Sequence, residues 1–107
     1  MVNKIKDLKE FQTIIESEKP VIIKFFTDWC PDCKRMDVFL PYVLENVKSR
    51  SIYEINRDQF PELAQKYDVM GIPSLLIFQT GKKIAHLHSA NAKTEEQVTN
   101  FLNKSLL

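Results

Sequence analysis

Apolar positions along this chain alternate between two rhythms. VIIKFFT at 21–27, SIYEIN at 51–56 and SLLIFQ at 74–79 are short runs rich in β-branched and aromatic residues, and they read as strands. The first has the pattern of a strand buried on both faces. Between them the period changes to that of a helix. Leu8, Phe11, Ile14 and Ile15 mark one behind a cap at Asp7, with Lys19-Pro20 ending it. Residues 2–6 are expected to form a short edge strand before it. A longer helix is expected from about Cys30 to Ser49, with Pro31 in its first turn and Pro41 kinking it. Pro61 opens a short helix carrying Leu63, Ala64 and Tyr67 that stops near Gly71. Thr80-Gly81 turns the chain into a strand over Lys83–Ser89. Thr94 and Gln97 form a capping box for a last helix with Val98, Phe101 and Leu102 on its apolar face.

Strands alternating with helices, then a hairpin and a closing helix, predict an α/β fold: a central mixed β-sheet flanked by helices on both faces. The parallel connections are expected to be right-handed crossovers. A length of 107 residues suits a single domain over 1–107.

Composition narrows the function classes. The formal charge is +1, with acidic and basic residues matched along the chain, which argues against a nucleic-acid partner. The longest apolar run, IPSLLIF at 72–78, is far too short to span a bilayer, so no membrane role is expected. The N-terminus lacks a signal-peptide pattern, and a cytoplasmic location is expected. In that compartment a close cysteine pair points to catalysis or metal binding more than to a structural disulfide.

The chain has two cysteines, both in Cys30-Pro31-Asp32-Cys33, where the first strand hands over to the long helix. Thiols at this spacing can close a disulfide with each other, and a helix N-terminus favours a thiolate on the first. That combination reads as dithiol redox chemistry. Two other readings stand beside it, an inert buried pair and a zinc site. Zinc would need two further ligands. His86 and His88 are the only histidines, and their spacing suits a solvated face of a late strand. No metal and no cofactor are expected.

The motif WCPDCK at 29–34, followed about forty residues later by GIPS at 71–74, an apolar strand, Gly81 in a turn and a closing helix, resembles the thioredoxin family over nearly the whole chain. A C-x-x-C in a βαβ setting is a standard signature of that family. The resemblance implies the thioredoxin fold and a thiol-disulfide oxidoreductase that reduces protein disulfides. It implies that Cys30, exposed at the helix start, attacks and that the more buried Cys33 resolves the mixed disulfide. Trp29 would flank the dithiol and pack against a loop. Pro73 would follow a cis peptide bond, with the backbone of Ile72 pairing with an extended substrate segment. Trp29, Pro31, Asp32, Ile72, Pro73 and Ser89 would form the substrate-binding surface. The implied partners are disulfide-containing protein substrates and a thioredoxin reductase, with the chain acting as a monomer.

The chain departs from the family pattern in three ways. Its linker is Pro-Asp where Gly-Pro is commonest, Ser89 stands where a glycine is usual, and the buried acid of the second strand is Lys24, with Glu54 replacing the usual lysine of the third. Lys24 is either a long side chain whose stem packs while its head escapes, or a paired, functional lysine. An ion pair with Glu54, inverted in sign, would explain both residues, and either group could then carry the proton of Cys33. The helix end, Lys34 and Arg35 should lower the pKa of Cys30, while Asp28 and Asp32 oppose them. The expected balance is a modestly activated thiol and a reductant.

Two other functional classes remain. A proline directly after the first cysteine also occurs in glutaredoxins, but QTGKKIAHLHSANAK at 79–93 lacks the glycine pair and acid that grip glutathione in that family. A non-catalytic binding module using the Trp29–Ile72 groove would not need both cysteines.

Overall fold

The strand with the densest apolar sequence takes the centre of a five-stranded sheet. In the computed structural model, which describes residues 3–45, 47 and 51–106, the elements in chain order are β1 (Asn3–Lys4), α1 (Leu8–Ile15), β2 (Val21–Phe26), α2 (Pro31–Glu45), β3 (Ser51–Asn56), α3 (Pro61–Lys66), β4 (Ser74–Gln79), β5 (Lys82–Leu87) and α4 (Glu95–Leu106). The sheet order is β1-β3-β2-β4-β5. β2 runs parallel to β3, and β4 runs antiparallel to both β2 and β5, so the sheet is mixed as expected.

Alternation along the strands sorts the core into two layers. Ile23 and Phe25 pack with Ile55, Leu76 and Phe78 against Phe11 and Ile15 of α1 and Leu63 and Ala64 of α3. On the other face Ile22, Ile52, Leu75 and Ile77 meet Met36, Leu40 and Val43 of α2 and Val98 and Leu102 of α4. Phe78 is fully buried, edge-on to Phe11 at 5.7 Å and to Tyr67 at 4.9 Å between ring centres. Burying such a ring contributes about 1.5–3 kcal/mol from apolar area. Lys24 belongs by alternation to the α2/α4 face, where every neighbouring β2 position is apolar.

The caps follow the sequence expectations. Asp7 accepts from the amide of Glu10 at 2.8 Å, and the Glu10 side chain accepts from the amide of Lys6 at 2.7 Å. Thr94 and Gln97 reciprocate at 3.1 Å in both directions. Three boundaries differ. α1 ends at Ile15 rather than at Lys19-Pro20, because the carbonyls of Ile15 and Ser17 accept from Gly81 and Thr80 of the β4–β5 turn at 2.7 and 2.8 Å. α3 ends at Lys66, well before Gly71, where Asp68 adopts a φ of 61° that a helix cannot continue. β5 covers 82–87, since the chain turns into a short 3-10 segment at Ser89–Asn91. α2 runs unbroken through Pro41 to Glu45, and its expected extension to Ser49 lies outside the described residues. Thr80 and Gly81 both have positive φ, the combination that lets a two-residue turn match the twist of a hairpin.

Candidate active site

Cys30 directly precedes α2, and Pro31 takes the first helical position, where its missing N–H and fixed φ cost nothing. The consequence is local and chemical. The amide of Cys33 donates to Cys30 Sγ at 3.0 Å, and the amide of Lys34 donates to the Cys30 carbonyl at 3.2 Å. The first sulfur therefore sits where a helix N-terminus leaves a free donor. Cys30 and Cys33 are joined as a disulfide, with Cα atoms 5.2 Å apart. The expectation of an exposed Cys30 is not met in this oxidised form. Cys30 is 3 % and Cys33 2 % exposed, because Phe26 and Ile72 pack against the pair.

Ile72 comes from the loop before β4, and the Ile72–Pro73 bond is cis as expected. Pro73 is buried, and Ser74 Oγ donates to the Gly71 carbonyl at 2.7 Å, which pins the loop. Ser89 approaches Gly71 so closely that any Cβ there would collide with its hydroxyl. Ser89 thus walls the same loop from the β5 side. Trp29 is 63 % exposed rather than packed away, and its Nε1 donates to Asp58 at 2.8 Å, with the Arg57 guanidinium 5.9 Å from its ring centre. Met70, beside Gly71, is almost fully exposed. Asp58 and Met70 carried no periodic or motif signal that would have singled them out.

Beneath the disulfide lies the charge cluster. Lys24 is 1 % exposed, so its head does not escape to solvent. It pairs side by side in register with Glu54 on β3, the Nζ–Oε2 distance being 4.0 Å. The expected inverted pair therefore exists, but it is the looser of two contacts. The main partner is Asp37 of α2, in direct contact with the ammonium, which also donates to the Cys33 carbonyl at 3.3 Å. Sequence reasoning missed Asp37. The available signal was its spacing: it lies four residues after Cys33 and shares a helical face with it. Burial pushes the Glu54 carboxyl up from 4.5, against the pull of Lys24, with Asp37 adding to the rise.

Two further groups differ from expectation. Asp32 is held by Lys93 at 2.8 Å and Arg35 at 3.3 Å, and the Lys93 contact keeps its carboxyl below the usual range. His86 of β5 and His88 just beyond it stack with ring centres 3.8 Å apart, but His86 is half-buried and not simply solvated. Burial and the Lys83 ammonium 2.9 Å from its Nδ1 push its pKa down to about 4. Among the described residues no group of three or more His, Cys, Asp or Glu side chains could hold a metal ion.

The Thioredoxin family model matches residues 2–104. Thioredoxin-1 of Saccharomyces cerevisiae is 31% identical over 97 residues, covering 91% of this chain and 94% of that protein. Mitochondrial Thioredoxin-2 of Schizosaccharomyces pombe is 30% identical over 93 residues, covering 87% of this chain and 70% of that one. Among solved structures, thioredoxin from Trypanosoma brucei brucei superposes with a TM-score of 0.84 at 19% identity, over 97% of this chain and 89% of that one. The oxidised thioredoxin of Plasmodium falciparum gives 0.83 at 22% identity over all of both chains. These last two show a shared fold.

Two outcomes are expected of the charge cluster around Lys24. Asp37→Asn should cost about 1–2 kcal/mol in denaturant unfolding of the oxidised protein, since the buried Lys24 ammonium loses its nearest counter-charge but keeps the Cys33 carbonyl and Glu54, and Asp37 is itself 58 % exposed. Adding Lys24→Met should recover part of that loss, whereas an additive cycle would mean the pair is not coupled. Glu54 has the opposite pH signature to a salt-bridged acid. Its raised folded pKa means the native state keeps a proton that the unfolded chain releases, so its ionisation costs stability as pH climbs from 4.5. The stability of Glu54→Gln minus that of wild type should grow through that window and then level off, and a flat difference would contradict the assignment.

Proposed function

The chain belongs to the thioredoxin family and is a protein-disulfide oxidoreductase, and we propose that it works as a reductase in which Cys30 attacks and Cys33 resolves. The observation that supports these roles most is the Cys33 amide on Cys30 Sγ at 3.0 Å. A thiolate at that position gains a charge-assisted hydrogen bond and the partial positive charge of the helix end.

In the reduced enzyme the Cys30 thiolate attacks one sulfur of a substrate disulfide. A bond forms between the two sulfurs, and the substrate's other sulfur leaves as a thiolate. Cys33 then loses its proton and attacks Cys30 Sγ, releasing the second substrate thiolate. The product is the Cys30–Cys33 disulfide seen here, so two electrons have passed to the substrate. Ile72 before cis Pro73 offers backbone groups to an extended substrate segment, with Trp29, Pro31, Asp32 and Ser89 bordering it. Glu54 takes up the Cys33 proton, favoured by its raised pKa, while Lys24 on the Cys33 carbonyl holds the lower side of the dithiol in place.

The chain acts as a single domain and a monomer in the cytoplasm, without cofactor or metal. A thioredoxin reductase recharges it, so that it carries electrons into redox homeostasis. No helix among the described residues is long and apolar enough to cross a membrane.

Insulin reduction coupled to NADPH and thioredoxin reductase tests this reading. Cys30→Ser should lose turnover entirely. Cys33→Ser should accumulate a covalent mixed disulfide with substrate and fail to release it. Trapping by Cys30→Ser instead would reverse the two roles, and turnover driven by glutathione alone would replace this reading with a glutaredoxin-like one.

A further inference from the structure

The tetrapeptide between the two sulfurs carries its own negative charge. Asp32 lies in the first turn of α2, two residues from Cys30. A carboxylate there disfavours a second anion on the neighbouring sulfur. It cannot be silenced by protonation, because its contacts keep it ionised far below the range in which thiols titrate. Only a counter-charge can offset it.

That charge comes from the far end of the chain. Lys93 Nζ donates to Asp32 Oδ2 at 2.8 Å across 61 residues of sequence. Its backbone is fixed on both sides. Ala92 is buried, and the Gln97 side chain accepts from the amides of Lys93 and Thr94 at 2.8 and 3.1 Å. The cap of α4 therefore presents the ammonium to Asp32 from a fixed base, so less entropy is lost in holding the pair. Arg35, at 3.3 Å and 64 % exposed, is the looser second partner. The other charges around the dithiol are Asp28 before it, Lys34 on α2, Arg57 and Asp58 paired together by Trp29, and Lys24 with Asp37 and Glu54 beneath.

We propose that Lys93 is a positioning residue for the dithiol: held on Asp32, its ammonium cancels the carboxylate built into the Cys30–Cys33 tetrapeptide and so keeps the Cys30 thiolate available near neutral pH. Lys93 acts through Asp32, and the α4 cap becomes part of what tunes the attacking sulfur. The inference rests on Cys30 being the attacking thiol. It is tested by a titration that needs no turnover, so its failure is separate from a failure of mixed-disulfide trapping.

The chain has two cysteines, so Cys33→Ser leaves Cys30 as the sole thiol, and its ultraviolet thiolate absorbance against pH gives one assignable titration. In that background Lys93→Met should lower the acid dissociation constant of Cys30 about threefold at low salt, the order expected of one screened surface charge. The shift should fade at about 1 M salt, where the Debye length falls to ~3 Å. Lys93→Arg should restore the original titration, since it keeps the charge. With Asp32→Asn already present, Lys93→Met should have less than half its effect, because nothing then holds the ammonium at the tetrapeptide. An unmoved titration at low salt would overturn the proposal. So would an effect that survives high salt, that Lys93→Arg fails to rescue, or that is equally large beside Asn at 32.

Discussion

A lysine with 1 % of its surface exposed is the constraint around which the active end of this molecule is arranged. Taking an ammonium out of water costs several kcal/mol unless it is paired and hydrogen-bonded. Lys24 meets that need with groups from two other elements: Asp37 and the Cys33 carbonyl from α2, and Glu54 from β3. α2 must therefore be rotated so that Cys33 and Asp37, one helical turn apart, both face down onto β2. The same rotation drives Met36, Leu40 and Val43 into the core and turns Lys34, Arg35 and Val38 to solvent. Pro31 at the first helical position sets where the helix begins, and there the Cys33 amide donates to Cys30 Sγ.

Charge near the dithiol is compensated on two levels. Below, the Lys24 cation is met by Asp37, with Glu54 farther off and its carboxyl pushed up by burial. Above, the Asp32 anion is met by Lys93 and Arg35. With both imbalances largely offset, the helix N-terminus is the contact made directly to Cys30 Sγ. That effect is moderate, and a dithiol whose thiolate is only moderately stabilised gives up its electrons readily. The proposed reductase role follows from that balance, not from any single strongly perturbed group.

What sequence could and could not show divides along range. The strands of 21–26, 51–56 and 74–79 and the caps at Asp7 and Thr94 were legible because their causes lie within a few residues. Helix ends were less so. α1 stops where the Ile15 carbonyl is claimed by a turn 66 residues away, at Gly81, and no local pattern records that. The two cysteines, Trp29, Ile72 and cis Pro73 were found through a motif, and the structure brings Ile72 against the sulfurs. Lys24 and Glu54 stood out because they interrupt apolar or expected patterns. Asp37 and Lys93 look like ordinary surface charges in sequence. Their importance appears only when tertiary packing sets one over a buried cation and the other beside the tetrapeptide. His86 was misjudged for a related reason, since Lys83 and His88 close over a side chain that alternation alone leaves in solvent.

In the proposed mechanism the helix start makes Cys30, and not Cys33, the activated sulfur. The most direct test is alkylation of the reduced wild-type protein by limiting iodoacetamide across a pH series, with the label located by peptide mass. Cys30 should carry the early label, with a rate midpoint below the ~8.5 of an unperturbed thiol. Early label on Cys33, or a midpoint at or above that value, would contradict it.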